Sequence, residues 1–132
     1  MRPLLGGLRE PLYALMRFFI GFLFSCHGAQ KLFGALGGPG HPQGKFLVAG
    51  LVEFGGGVLL ALGLFASIVA FIAAGEMAVA YFTVHAHLGS VWFPIINHGE
   101  LAVAYCFVFL YIASRGAGKL SLDALFFKNA GQ

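Results

Sequence analysis

The sequence predicts an all-α membrane protein, a bundle of four transmembrane helices followed by a short interfacial helix near the C-terminus. Two properties of the composition support this fold class. Apolar residues make up 59% of the 132 residues and charged residues only 10%, whereas about a quarter of a soluble domain is charged. The mean hydropathy is +0.87, and a soluble core of this size could not bury so much apolar surface. The length fits a single domain over residues 1–132.

The apolar part of the chain divides into four segments at stretches rich in glycine and proline. The predicted spans are about residues 11–33, 46–63, 67–87 and 98–115. Residues 46–84 contain Glu53 and Glu76 as their only acidic or basic residues. This stretch is about twice as long as the ~20 residues that one span needs. We therefore expect two helices there, with a tight turn near residues 63–67, and a loop over residues 34–44.

Both ends of the chain are predicted to lie at the membrane. The first part of the sequence resembles a signal peptide, because Arg2 and Arg9 precede an apolar run, and we expect it to be retained as a membrane anchor. In the tail, Ser121 or Asp123 is a suitable helix cap. The apolar residues around this cap are expected to lie in the membrane interface: Leu122, Leu125, Phe126 and Phe127.

The distribution of basic residues predicts the orientation. Four spans place both termini on one side of the membrane, and the terminal segments carry most of the basic residues: Arg2, Arg9, Arg17, Arg115, Lys119 and Lys128. The opposite side carries only Lys31 and Lys45. The positive-inside rule therefore predicts that both termini are cytoplasmic. Since the basic residues are scattered and form no patch, the sequence does not indicate nucleic-acid binding.

Ionisable residues inside the spans are the main candidates for function, because a charge at mid-bilayer costs roughly 2.5–3.5 kcal/mol. They are Arg17, His27, Lys31, Glu53, Glu76, His85 and Glu100. At about 100° per residue, the polar residues of the first helix share one face with Gly21 and Gly28. On the second helix, Glu53 shares a face with Gly50 and Gly57. Small residues let membrane helices approach closely, so we expect both faces to point inward.

The third and fourth helices show less regular patterns. One stripe of the third helix combines small residues with a histidine: Ala70, Ala74, Ala78 and His85. Such a stripe suits contacts within the chain or between subunits of a homo-oligomer. Glu76 lies roughly opposite, and we expect it to point inward because exposing a carboxylate to lipid is costlier. On the fourth helix, Glu100 shares a face with Ala104, Phe107 and Tyr111.

The segment HAHLGSVWFPIINHGE, residues 85–100, admits two interpretations. Its residue types suit zinc or copper: His85, His87, His98 and Glu100. However, His85 and His87 would point about 160° apart on a helix, so they can share an ion only if the helix has ended. Axial haem ligation by His27 and His85 is a further alternative. We predict no metal site and interpret the segment as a polar lid over a cavity in the outward half of the bundle.

Several motifs resemble the DoxX family and follow one another in the family's order. They are HGAQKLFG at 27–34, EFGGGVLLALGLF at 53–65, GEMAVAYF at 75–82, NHGELAVAYCFVFLY at 97–111 and GAGKLSLDAL at 116–125. The resemblance implies a small four-helix protein of the bacterial cell (inner) membrane. It also implies a shared site formed by His27, Gly28, Gln30, Lys31, Glu53, Glu76, His85, Asn97 and Glu100. His98 stands where the family more usually has a small residue or glutamine, so the resemblance does not include it.

The family's name comes from subunits of quinone-reducing oxidoreductases, so the resemblance implies a link to quinone chemistry. Histidine or lysine would donate hydrogen bonds to a quinone, and carboxylates would relay protons. The sequence has no nucleophile–base pair, flavin motif or dinucleotide fingerprint, so the electrons would come from a redox partner protein. The alternative is a non-enzymatic scaffold whose ion pairs, such as Lys31 with Glu53 or Glu100, are structural. We expect Cys26 and Cys106 to be reduced and to act as small hydrophobes.

Overall fold

The structure, a computed structural model, describes residues 1–128, and residues 129–132 of the predicted tail lie outside this range. All regular structure in residues 1–128 is helical, which confirms the all-α class. The α-helices are α1 (Arg9–Phe33), α2 (Lys45–Leu62), α3 (Ala66–Thr83), α4 (Pro94–Asn97), α5 (Glu100–Arg115) and α6 (Leu122–Phe126). Short 3₁₀ turns occur at Gly6–Leu8, Ala35–Gly37 and His85–His87.

Three helical segments of the described chain are long and apolar enough to cross a membrane. They are Gly6–Phe33, Lys45–Leu62 and Ala66–His87. Helix α5 has 16 residues and is about 24 Å long, shorter than a typical hydrocarbon core of about 30 Å. It begins at Glu100 because His98 has a left-handed backbone conformation with φ of 59°. Helix α5 therefore begins two residues after residue 98, the start of the predicted fourth span.

The other helix boundaries follow from local backbone chemistry. Helix α1 ends at Gly34 and α2 at Gly63, and both glycines adopt the left-handed conformation that favours this residue, with φ of 65° and 71°. The turn between α2 and α3 lies close to its predicted position. Helix α3 ends at Thr83, earlier than the predicted end at residue 87, because the chain tightens into a 3₁₀ turn at His85–His87.

The helices pack as two close pairs, α1 with α2 and α3 with α5. Helix α1 approaches α2 at glycines, so that a Cβ atom on Gly28 would lie 2.2 Å from the backbone nitrogen of Phe54. Helix α3 contributes buried alanines to the core, including Ala70 and Ala74. These two residues of the predicted stripe are therefore used inside the chain. Phe24 of α1 joins the pairs, with its ring centroid 4.7 Å from that of Phe109 on α5.

The buried face of α5 is not the face that carries Glu100. Its buried residues are Ala102, Tyr105, Phe109 and Ile112. Phe107 and Tyr111, which share a face with Glu100, are 67% and 52% exposed, and Glu100 itself is exposed. Because Glu100 is the first residue of α5, its carboxylate can remain at the helix end, where a negative charge is favourable.

The C-terminal segment fastens one end of the bundle, an arrangement that we call the clamp (Arg17, Asp123 and residues 116–121). Arg17 is 2% exposed, and its guanidinium donates hydrogen bonds to four backbone carbonyl groups, those of Leu60, Ala61, Ala117 and Leu120. The Asp123 carboxylate accepts hydrogen bonds from the backbone N–H groups of Phe65 and Ala66, at 2.7 and 3.0 Å. Asp123 therefore caps α3.

The helix cap predicted at Ser121 or Asp123 belongs to Ser121. Its Oγ accepts a hydrogen bond from the backbone N–H of Ala124, at 3.1 Å, at the start of α6. The apolar residues that follow remain largely uncovered, with Leu125 62% and Phe126 64% exposed. Helix α6 therefore presents an apolar surface outside the core.

Candidate functional site

A cavity of about 790 Å³ lies between α1, α2, α3 and α5, at the opposite end from the clamp. The connection between α3 and α5, residues 84–99, closes this end, and we call it the lid. Most of the cavity wall is apolar, with contributions from Phe24, Val52, Met77 and Leu101. The polar side chains on the wall are His27, Lys31, Lys45, Glu53, Glu76, Thr83, His85, His98 and Tyr105. An apolar cavity with a few convergent polar groups is typical of a small-molecule site.

Lys31 and Glu53 form an ion pair on the cavity wall. The side chain of Glu53 is 3% exposed and that of Lys31 is 30% exposed, so the carboxylate is buried and the lysine reaches towards the lid end. The pair forms because α1 and α2 lie close together here. A Cβ atom on Gly50 would lie 2.9 Å from the Leu32 side chain, so glycine at this position lets the last turn of α1 approach Glu53.

Two carboxylate oxygens of the site have no hydrogen-bond partner among residues 1–128. They are Oε2 of Glu53 and Oε2 of Glu76, and both atoms are buried. The Glu76 carboxyl group is close enough to Glu53 and Lys31 to interact electrostatically with both, and it can hydrogen-bond to Glu53 when one of the two carboxyl groups carries a proton. Since the one lysine of the cluster pairs with Glu53, and Glu76 adds a second carboxyl group beside it, the cluster can accept one more proton or hydrogen-bond donor. Buried acceptors without a donor cost free energy, so the cluster is a candidate site for a ligand or a proton.

An aromatic residue that the sequence did not single out completes the wall. Tyr105 of α5 is 4% exposed, and its ring meets that of His27 edge to face, with centroids 6.2 Å apart. A usable signal was the spacing of Ala102, Tyr105 and Phe109, which places them on one helical face. Glu100, at the start of α5, lies on the other face of the helix.

Asn97 is fully buried and holds the lid together. Its amide donates hydrogen bonds to the Tyr81 hydroxyl, at 2.9 Å, and to the Ser90 carbonyl, at 2.6 Å. Its Oδ1 accepts one from the Gly99 N–H, at 2.8 Å. The Tyr81 hydroxyl donates in turn to the Val91 carbonyl. Because both amide hydrogens of Asn97 are used, this residue shapes the roof and has no donor left for a ligand.

The structure brings together five of the seven residues that the sequence singled out. His27, Lys31, Glu53, Glu76 and His85 line the cavity, whereas Asn97 and Glu100 do not. His98, which the family pattern does not support, lies on the wall, because its left-handed backbone turns the chain between the lid and α5. The Nδ1 atom of His85 lies 3.2 Å from the Asn97 carbonyl oxygen and so connects the wall to the lid.

The donor groups considered for a metal do not converge within the part of the chain that the structure describes. No group of three or more His, Cys, Asp or Glu residues there is arranged to hold an ion. His85 and His87 belong to the 3₁₀ turn of the lid, and only His85 of the two lines the cavity. Cys26 and Cys106 are free thiols of intermediate burial.

These features define the class of the protein. Three apolar helices of membrane-spanning length, with a buried acid–base cluster between them, belong to a multi-pass integral membrane protein. The sequence matches the DoxX family over residues 12–86, more than half of the chain, and the protein belongs to that family. It is 44% identical over 123 residues to an uncharacterized protein of Haemophilus influenzae, with 87% of this chain and 90% of that protein covered. No solved structure matches the chain.

Proposed function

We propose that this protein is a membrane subunit associated with quinone-linked oxidoreduction, and that it holds a small lipophilic ligand of the quinone type in the cavity. The observation that carries the proposal is the pair of buried, unpartnered carboxylate oxygens on Glu53 and Glu76 in the wall of a largely apolar cavity. A ligand with a polar ring and an apolar body suits such a wall, because the ring meets the charged groups and the body meets the apolar side chains.

The polar side chains of the cavity have two roles in this proposal, hydrogen bonding and proton transfer. Lys31 and His27 donate hydrogen bonds to the oxygen atoms of the ring. Glu53 and Glu76 exchange protons with the same oxygens, since the cluster has room for a proton beyond those of Lys31. Reduction of a quinone to a quinol takes up two electrons and two protons. The carboxyl groups deliver the protons, and a redox partner protein delivers the electrons.

The proposed arrangement in the membrane has four spans, with α5 as the fourth and α6 in the interface. The clamp end carries Arg115 and Lys119 as well as the N-terminal arginines, so the positive-inside rule places it and both termini in the cytoplasm of a bacterial cell. The lid then faces outward from the inner membrane. Exposed apolar residues on α6, such as Phe126, support its position at the interface.

A structural scaffold is the second candidate, and the ion pair of Lys31 with Glu53 favours it. In a scaffold, however, every buried charge would be expected to have a partner inside the chain, and with both groups ionised the Oε2 atoms of Glu53 and Glu76 have none among the described residues. The two candidates differ in whether the cavity takes a ligand. In neither case does the proposal require a homo-oligomer.

The test is the quinone content of the purified protein. Wild-type protein and the variants Glu76→Gln and Glu100→Gln are purified from bacterial membranes in mild detergent, and quinone is quantified by chromatography and mass spectrometry. We expect close to one quinone per chain in the wild type and in Glu100→Gln, because Glu100 is exposed and off the cavity. Glu76→Gln should retain about tenfold less, equivalent to about 1.4 kcal/mol. Equal trace amounts in all three proteins would favour the scaffold.

A further inference from the structure

One side of the cavity is open, between α2 and α3. Three of the apolar residues that line the cavity are also strongly exposed: Val48 at 61%, Ile72 at 53% and Val79 at 61%. Gly75, between the last two on α3, is exposed as well. A residue that both lines a cavity and faces outward belongs to an opening of that cavity. Exposed lining residues also lie at the lid end, among them Lys45, His98 and Leu101, and we call the apolar part of the opening, between α2 and α3, the mouth.

The mouth exists because α2 and α3 approach each other only near their connecting turn. Close to the turn, a Cβ atom on Gly56 would lie 3.4 Å from the Val69 side chain. Further from the turn, nothing lies within 4 Å of a Cβ atom on Gly75. Beyond the turn, each helix packs mainly on its own partner, α2 on α1 and α3 on α5, and this leaves a gap between the two pairs.

The centre of the mouth, at Gly75, lies at the depth of the hydrocarbon, and Val48 extends the mouth towards the lid end of α2. Gly75 is nine residues beyond Ala66, the first residue of α3, which corresponds to a rise of about 14 Å. This is near the middle of a bilayer core of about 30 Å. Glu76 follows Gly75 directly, so the acid–base cluster sits just inside the mouth.

We propose that this mouth is a lateral portal, through which an amphiphile dissolved in the bilayer passes between α2 and α3. The portal consists of Val48, Ile72, Gly75 and Val79. The polar head of the amphiphile reaches Glu53 and Glu76, and its apolar chain stays in the portal, in contact with lipid. The inference rests on the proposed function, and it adds the direction of access and the need for an apolar chain.

The chemistry of the portal favours an amphiphile over a water-soluble ligand. All four portal residues are apolar or glycine, so the portal has no side chain that would solvate a charged molecule. On the lateral route, a water-soluble molecule would have to cross hydrocarbon to reach Gly75, at a cost of several kcal/mol for each unsatisfied polar group. A molecule already in the bilayer avoids this cost.

The experiment uses two matched glycine substitutions, Gly75→Leu and Gly55→Leu. Both glycines are exposed on a membrane-spanning helix, and neither has an atom within 4 Å of an added Cβ. Gly75 lies in the portal, whereas Gly55 does not line the cavity. Each protein is reconstituted in phosphatidylcholine vesicles. Binding of a benzoquinone with a ten-carbon chain is followed by stopped-flow quenching of Trp92, the single tryptophan of the chain, which lies in the lid.

We expect saturable quenching in the wild type and in Gly55→Leu at the same rate. Gly75→Leu should slow association at least about tenfold, which corresponds to about 1.4 kcal/mol of added barrier. The same quinone ring without its chain should bind the wild type more weakly than the chain-bearing compound, because it leaves the portal unfilled.

Three results would overturn the inference, and they can be told apart. Absence of saturable quenching in the wild type contradicts the proposed function itself. Saturable binding with equal rates in the two leucine variants contradicts the portal alone. The third result is a dimer in which a second copy of the chain fills the gap between α2 and α3. Light scattering of the detergent-solubilised proteins would detect it as a wild-type dimer that Gly75→Leu dissociates.

Discussion

The clamp and the cavity bury charged side chains to the same extent but treat them differently. Arg17 in the clamp and Glu53 in the cavity are each 2% exposed. Arg17 donates four hydrogen bonds to backbone carbonyl oxygens, at 2.6 to 3.0 Å. Glu53 has one oxygen paired with Lys31 and the other without a partner in the described chain. Burial alone therefore does not separate a structural charge from a functional one.

The difference lies in hydrogen-bond satisfaction. A buried polar group that has all its partners stabilises a fold, whereas an unsatisfied group costs about 1–3 kcal/mol or more when charged. In the clamp, the Arg17 guanidinium donates to carbonyl oxygens at the end of α2 and in the C-terminal segment. These hydrogen bonds hold the bundle together at this end. The cavity leaves two acceptors open, and this is the arrangement expected where a ligand or proton completes the set. Three substitutions test the contrast.

The largest effect on stability is expected from Arg17→Leu. The substitution removes four hydrogen bonds, two of them buried, to the carbonyl groups of Leu60, Ala61, Ala117 and Leu120. We expect a loss of about 3–5 kcal/mol in the free energy of unfolding, measured by denaturation of the detergent-solubilised protein. The control is Arg9→Leu, since Arg9 is exposed on the same helix. A loss no greater than that of the control would show that the clamp does not hold the bundle.

A smaller loss is expected from Asp123→Ala, which removes the cap of α3. The carboxylate accepts from two backbone N–H groups, and loss of a helix cap costs about 0.5–2 kcal/mol. Asp123→Asn keeps one acceptor oxygen and should lose about half as much. The thermal midpoints of the two variants test this ranking. If Asn and Ala are equally destabilising, the side-chain oxygens do not carry the effect.

The smallest effect on stability is expected from Glu76→Gln, in contrast to its effect on quinone content. The amide removes one negative charge beside Glu53 and supplies a donor for Oε2 of Glu53. The free energy of unfolding should therefore stay the same or rise by up to about 1 kcal/mol. The same denaturation assay measures it beside Glu100→Gln. A loss of more than 2 kcal/mol would mean that the Glu76 carboxyl is a structural element like Arg17, and would remove the contrast between the two regions.

Much of the fold was predictable because it depends on local properties of the chain. Apolar length indicated the helices, and the glycine near residue 63 indicated the turn between α2 and α3. Glu53 was placed inward because its helical face carries glycines, and the structure has it buried at 2%. The predictions failed where helices end. His85 was placed on the third helix, but it lies in the 3₁₀ turn His85–His87, and Asn97 lies in the separate short helix α4.

The sequence by itself determined that the protein lies in a membrane, where its helices run and which buried charges need partners, because composition, helical period and the cost of charge in lipid are local quantities. Only the tertiary structure decided which charges found those partners. Arg17 and Glu53 look alike in sequence, as lone charges on apolar helices. They differ because the C-terminal segment, about a hundred residues from Arg17, folds back to supply carbonyl oxygens at one end. At the other end, α2 and α3 separate and leave the oxygens of Glu53 and Glu76 facing a cavity.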